Sequence, residues 1–463
     1  YDGLKFLKRS RSGEFFVSKD HKQDRANAQP KDVGRILKFG DPAVTFDRTL
    51  TYENDDLKNW KNVSDIEIYM EPKHHWLMNL LPLESIDPAS KTATFTVEPT
   101  YGFSGADKKG GKGNAYHVDN AIDYLDEPGE WCFNSLEGRI YIWPEGPLDQ
   151  ADMRAPYLQE FIRVEGVEDK AKAAYLVFNG LTFRHGLRDT WNPGDKSLQH
   201  DWEMYDKGNA IMRLRHAEHC TIKNCVFEAS SGTGVRLDLY GQYNTVADSI
   251  FAHLGGTGVL LSGYAPGLKD ENKFNTITNN YLHHIGTIYQ HSPAIFIAQS
   301  GHNKITHNTI HDLDYNAMVI SGCRPHELAY YETLKNRREW VSSLRVDEIR
   351  PYLEKIKEVL ARKWLNSDVS LFEDLLHARE NLIAYNDISR AMLKLDDGNA
   401  IYFSGMGKNN VAEYNYIHDV TNNRGFIRLD DNSGYTYIRN NVFENGQMML
   451  VMKWDGEYRN NFA

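Results

Sequence analysis

The chain is poor in cysteine. Its 463 residues hold four, Cys132, Cys220, Cys225 and Cys323, and none shows the C-x-x-C spacing of a metal site. That count excludes a disulfide scaffold and a cysteine-based zinc site, and free, buried thiols are expected. No apolar run approaches the roughly 18 residues of a membrane helix, so no membrane span is expected. Basic charge is in deficit: 53 Lys and Arg against 64 Asp and Glu give a net charge of −11. A phosphate backbone wants a basic face, so no nucleic-acid partner is expected and a neutral one fits better. The G-x-S-x-G elbow, the P-loop and a G-x-G-x-x-G after a strand are all missing, which removes common hydrolase and nucleotide-binding signatures. The opening Tyr1-Asp2-Gly3-Leu4-Lys5 has no basic stretch leading into an apolar one, so a secretion signal is absent or already removed.

What the chain does have is a repeat. From about residue 209 a small residue precedes a short β-branched or aromatic strand, as in Ala210-Ile211-Met212, Gly234-Val235-Arg236, Gly258-Val259-Leu260, Ala294-Ile295-Phe296, Ala317-Met318-Val319, Ala400-Ile401-Tyr402 and Gly425-Phe426-Ile427. The first strand residues follow one another at steps of 24, 24, 36, 23, 83 and 25, a period of about 24 with insertions near 12 and near 59 residues. A second marker, a polar residue two before an apolar one, keeps the register: Asn224-Cys225-Val226, Asp248-Ser249-Ile250, Asn280-Tyr281-Leu282, Asn308-Thr309-Ile310, Asn386-Asp387-Ile388 and Asn415-Tyr416-Ile417. A unit this short, with strands and no helix, cannot bury an apolar side alone, but stacked coils share one core. The fold class expected is all-β, a right-handed parallel β-helix. Leucine-rich repeats share the period but need a leucine ladder that is missing here. The recurring Asn is expected at a left-handed corner, bonded to its neighbours in adjacent coils.

Residues 35–165 carry no such echo. Ile66–Tyr69, Thr92–Val97, Glu130–Phe133 and Arg139–Pro144 alternate with turn residues and read as an antiparallel β-sandwich. Residues 1–34 form an N-terminal segment without a clear assignment, and 166–463 the β-helix. The long insertion, about 325–379, is helical, with Ile349, Leu353, Ile356 and Leu360 as its apolar stripe. It is either a surface decoration or a wall over a groove.

Alternation along the strands predicts an outward column of Asp238, Ser262, Ala298, Ser321 and Ser404, reaching Asp430 if one extra residue precedes Ile427. Such a wall of small residues reads as a groove floor. Two acidic pairs flank it, Asp396-Asp397 before one strand and Asp430-Asp431 after the next. With coils about 4.8 Å apart, one acid from each pair falls within the roughly 5 to 10 Å that glycoside hydrolysis asks of two carboxylates. The same sequences also serve as turn formers, and paired acidic turns can hold a calcium ion. Tyr402, Gln299, His302, Arg324, Arg428, Lys453 and Trp454, with Tyr240, Tyr264 and Tyr289, supply faces and hydrogen bonds suited to sugars. The pairs His283-His284 and His307/His311 read as corner residues rather than metal ligands, because no third ligand has fitting spacing.

The segments Asn120–Trp131, Gly138–Pro144, Ser292-Pro293-Ala294-Ile295, Gln299–Asn303, Asp397–Tyr402 and Asn415–Asp419 together resemble bacterial right-handed β-helix proteins similar to glycoside hydrolase family 141. The resemblance spans about residues 60–463. It implies a secreted or periplasmic glycoside hydrolase, α-L-fucosidase-like or xylan-acting, that degrades a decorated poly- or oligosaccharide with two aspartates; a monomer without a cofactor is expected. On the family's motifs these fall at Asp397 and at Asp430, with Asp431 as a close substitute, and Asp396 beside the substrate. The helical insertion departs from the family and reshapes the groove. Two other readings stay open: a polysaccharide lyase acting on a uronic-acid glycan, and a non-catalytic carbohydrate-binding solenoid.

Overall fold

The computed structural model describes residues 1–3, 5, 7–13, 16–17, 48–71, 76, 78–97, 99, 115–188, 210–264, 267–323, 345–362, 369–421, 425–430, 432–447, 451–452 and 455–463. The described residues fall into two compact units, one before and one after the junction at 155–156.

The first unit is antiparallel sheet. Its six strands run in the order Phe16–Val17, Ala115–Asp119, Glu67–Glu71, Asn79–Asp87, Thr92–Phe95 and Thr49–Thr51. Leu50, Ile66, Ile68, Leu81, Leu83, Phe95, Tyr116 and Val118 form its core. A second sheet pairs Glu130–Asn134 with Arg139–Ile142 antiparallel, and Lys8–Arg9 joins it in parallel, so the N-terminal segment contributes strands.

The second unit is a right-handed parallel β-helix. Among the described residues its three sheets hold eleven, nine and eight strands. The first sheet runs from Ile162–Glu165 through Ala210–Glu218, Thr233–Gln242, Val259–Ser262, Ile295–Ala298, Met318–Ser321, Ile401–Ser404 and Ile427–Leu429 to Val451–Met452. Ile162–Glu165, expected at the end of the sandwich, pairs in parallel with Ala210–Glu218 and so opens the solenoid. Val235, Val259, Ile295 and Ile401 point into the core and are fully buried. The four cysteines are buried and form no disulfide.

Each coil turns at residues with positive φ, and these line up. One column is Asn224, Asp248, Asn279, His307, Tyr385 and Tyr414. The neighbouring position carries an asparagine ladder: Asn280 Nδ2 donates to Asn308 Oδ1 at 3.0 Å, and Asn308 to Asn386 and Asn386 to Asn415 in the same way. A second ladder runs through Asn244, Asn275, Asn303, Asn381 and Asn410. The ladder side chains lie inside, where each satisfies buried backbone groups of the coil beside it, as Asn280 does for Val246 O at 3.0 Å. The expected bonding between coils is therefore present, but the left-handed assignment needs correcting. From Asn280 onward the strained corner is the residue before the ladder Asn, because an inward amide and an outward αL side chain cannot be the same residue.

The long insertion leaves the helix after Met318–Ser321 and returns before Leu382–Ala384. It contains the helix Val346–Arg362, with Ile349 and Leu353 buried. The side chains of Ile356 and Leu360 lie outside the described residues. The insertion is tied down at both ends of its described part: Leu268 N donates to Glu348 Oε2 at 2.6 Å, and Gln299 Nε2 to Leu375 O at 2.8 Å. Among the described residues no helix is long and apolar enough to cross a membrane.

Candidate functional site

The outward columns of the first sheet set the site. Ile401 pairs with Ile427, Tyr402 with Arg428 and Phe403 with Leu429, so one extra residue does precede Ile427 and Asp430 stands where Ser404 stands one coil earlier. Asp430 N donates to Phe403 O at 2.8 Å, which holds that register. The small-residue wall is not an open floor, however. Ser262, Ala298, Ser321 and Ser404 are buried, and Leu260, Phe296, Ala298, Val319 and Tyr402 form an apolar cluster on this face.

Beyond that cluster, charge gathers around one guanidinium. Arg428 Nη1 donates to Asp397 Oδ1 at 2.7 Å and to Asp397 O at 3.1 Å, and Arg428 Nη2 meets Asp430 Oδ2 at 2.8 Å. Tyr402 donates its hydroxyl to the same Asp430 oxygen in a short bond, and its ring lies 5.5 Å from the guanidinium. A guanidinium is a rigid fork about 2.3 Å wide, so contacts of 2.7 and 2.8 Å on its two arms keep the carboxylate oxygens within about 8 Å of each other. That upper limit is compatible with the roughly 5 to 9.5 Å separations used in glycoside hydrolysis. Burial pushes the Arg428 guanidinium down, but Tyr402, Asp430 and Asp397 outweigh it and hold it above its ordinary value, so it stays a fixed cation.

The two acids differ in exposure. The Asp430 side chain is 6% exposed and that of Asp397 38%. Asp397 sits at φ +56, a left-handed position that a short polar side chain tolerates. The turn after it is locked by packing: a Cβ on Gly398 would lie 2.3 Å from Asn316 Oδ1 and 2.6 Å from the Tyr315 ring. Asn399 N donates to Asn316 Oδ1 at 2.8 Å, and Asn399 Nδ2 to Gly425 O at 2.6 Å. Asp397 is thus presented from a rigid turn, which is what a preorganised acid requires.

Of the residues expected at the site, the structure brings together Asp397, Asp430, Tyr402 and Arg428. Asp396 is exposed on the same turn. Asp431, Arg324, Lys453 and Trp454 lie outside the described residues. Gln299 is placed elsewhere: it is buried, and both ends of its amide are used inside the protein, by Leu375 O and by His377 N at 3.1 Å. It ties the insertion down and does not face a ligand. His302 belongs to a corner column, its ring tilted 34° against that of Phe274 at 5.0 Å and 3.3 Å from Glu380. Tyr240 and Tyr264 also turn away, donating to Glu218 and Glu168. Among the described residues the acidic turns form no group of three or more metal ligands.

Two residues went unnoticed in the sequence. Tyr315 is buried against the turn; burial first and then Asp397 push its phenol far up, so it stays protonated beside the carboxylate. Asp314 stands one coil before Asp397, and burial raises it, offset in part by Lys394 at 2.8 Å. The signal was present: Asp314-Tyr315-Asn316-Ala317-Met318 has the spacing of Asp397-Gly398-Asn399-Ala400-Ile401, and Met318 pairs with Ile401.

Coils, ladders and corners define a right-handed parallel β-helix protein. The sequence profile of the family described as "Right handed beta helix region" matches residues 198–329. A solved structure titled "Glycoside hydrolase" is similar over 100% of this chain and 76% of its own, with a TM-score of 0.67 at 15% identity, a likeness of fold. The DFA-IIIase of Arthrobacter chlorophenolicus A6 in complex with GF2 matches at 14% identity over 62% of this chain and 60% of its own, with a TM-score of 0.36. No curated protein matches in sequence.

Proposed function

We propose that this protein is a glycoside hydrolase that cleaves a glycosidic bond in a decorated poly- or oligosaccharide, with Asp397 and Asp430 as its catalytic pair. The observation that carries the reading is the single guanidinium of Arg428 holding both carboxylates within about 8 Å of each other. Asp430 takes a guanidinium and a phenol O–H on one oxygen, which fixes its carboxyl against Arg428 and Tyr402. Both aspartates accept from Arg428, and between them they supply the proton for the departing oxygen and the nucleophile, or the base for water. Arg428 also acts as the positioning residue for both. The α-L-fucosidase-like or xylan-acting substrate class, and work outside the cytoplasm in a bacterium, belong to the same proposal and rest on the resemblance to family 141.

The experiment is a screen of the full chain against fucosylated, xylan-type, pectic and algal glycans with product analysis. Release of reducing sugar without an unsaturated product supports hydrolysis. An ultraviolet-absorbing 4,5-unsaturated product would replace this reading with a lyase, and glycan binding without turnover would replace it with a binding solenoid.

A further inference from the structure

The sequence offers His283-His284 as adjacent histidines without a third ligand. The coil supplies one. In the third sheet, Ala252 pairs with His283 and Leu254 with Ile285, which puts His253 beside His284 although 31 positions separate them. Both take φ +52, the corner geometry that turns a side chain outward. No local spacing motif would reveal this, because the contact is set by the length of one coil.

The three imidazoles converge. One ring nitrogen from each of His253, His283 and His284 lies within 4.8 Å of the others, and His283 Nδ1 is 2.9 Å from His284 Nδ1. Zinc–imidazole bonds of about 2.0 to 2.1 Å put two ligand nitrogens of a tetrahedral site about 3.3 Å apart, and the His283–His284 pair, now at hydrogen-bond distance, needs only a small opening to reach it. The remaining closure falls to rotation of His253 and His284, which are exposed and have room to turn. His283 is braced on its other face by His311, stacked at 5.3 Å and 4°. His311 is itself fixed, with Nε2 2.7 Å from Tyr281 OH and Nδ1 2.7 Å from Asp312 Oδ2. Ala252, across from His283, adds no bulk on the open side. The site is part of the third sheet's corner, while the aspartate pair stands on the first sheet.

We propose that His253, His283 and His284 bind one late first-row divalent cation, zinc, nickel or copper, in a site that clamps two successive coils. An all-imidazole set selects such ions over calcium or magnesium, which take oxygen ligands. Three protein ligands leave a fourth position for water.

Isothermal titration of the full-length, chelator-treated protein with zinc, nickel and copper chlorides tests this. One ion per chain is expected to bind, and to raise the melting temperature. His253→Asn and His284→Asn should each weaken binding by at least about tenfold and remove the melting shift. Asn is accepted at this corner, since Asn445 occupies the same column at φ +49, and an unchanged circular dichroism spectrum would show that the coils are kept. His307→Asn, at another corner and stacked on Tyr385, should bind as the wild type does. Absence of saturable binding for all three ions, or equal binding by wild type and the His253 and His284 variants, would overturn the proposal.

Discussion

The tripeptide Arg-Leu-Asp occurs twice on the outer face of the first sheet, as Arg236-Leu237-Asp238 and as Arg428-Leu429-Asp430, and the two copies are used differently. They stand in the same columns five coils apart, about 24 Å along the solenoid. At the first, three cations surround one acid: Arg215 at 2.5 Å, Arg236 at 3.4 Å and Arg213 at 3.7 Å from Asp238, which is fully buried. At the second, two acids share one cation, and one of the acids is 38% exposed. The first cluster is closed on itself, whereas the second leaves a carboxylate facing outward. A motif of three residues does not decide between stability and chemistry; the charges that neighbouring coils bring to it do.

That contrast can be broken or sharpened in several ways. The largest effect on stability is expected from Asp238→Asn, which removes the buried carboxylate between Arg215 and Arg236, while Arg213 keeps Glu160 at 3.1 Å, and should cost about 3 to 5 kcal/mol in urea unfolding. Replacing one rung of the inner ladder, Asn308→Ala, removes the acceptor for Asn280 and a donor to Ile277 O, and should cost about 1 to 3 kcal/mol by the same measurement. Arg428→Lys keeps the charge but cannot bridge Asp397 and Asp430 with two parallel arms, so kcat should fall by about tenfold or more with little change in unfolding. The smallest effect concerns pH. The Arg390 guanidinium beside Asp312 holds its carboxyl below the ordinary 3.8, against a smaller opposing effect of burial. Such a group adds stability that is complete above 3.8 and is lost as pH falls further, so Arg390→Gln should flatten the acid limb of a melting-temperature profile below that value. An unchanged acid limb would show that this surface pair contributes nothing measurable.

Much of the fold was legible from residues alone. Small residues before apolar strands at a period near 24 carry the coil, and the extra residue before Ile427 can be read by counting. The inner ladder was harder to place, because in Asn279-Asn280 both residues suit a corner and only the inward direction of one amide separates them. The site was half legible. Asp397 and Asp430 lie in recognisable turns, but their link is Arg428, 31 positions from Asp397, and its role depends on a register that pairs it with Tyr402. Gln299 shows the difficulty: a polar residue after a strand reads the same whether it meets a ligand or, as here, the insertion, to which its amide is bonded.

The measurement that bears most directly on this account is turnover of a glycan the wild type cleaves, compared for Asp397→Asn, Asp430→Asn and Asp238→Asn below their melting temperatures. The account predicts that each of the first two loses at least about a hundredfold in kcat, while Asp238→Asn turns over like the wild type despite its lower stability. Wild-type rates in both the Asp397 and Asp430 variants would contradict it, as would a loss in Asp238→Asn equal to theirs.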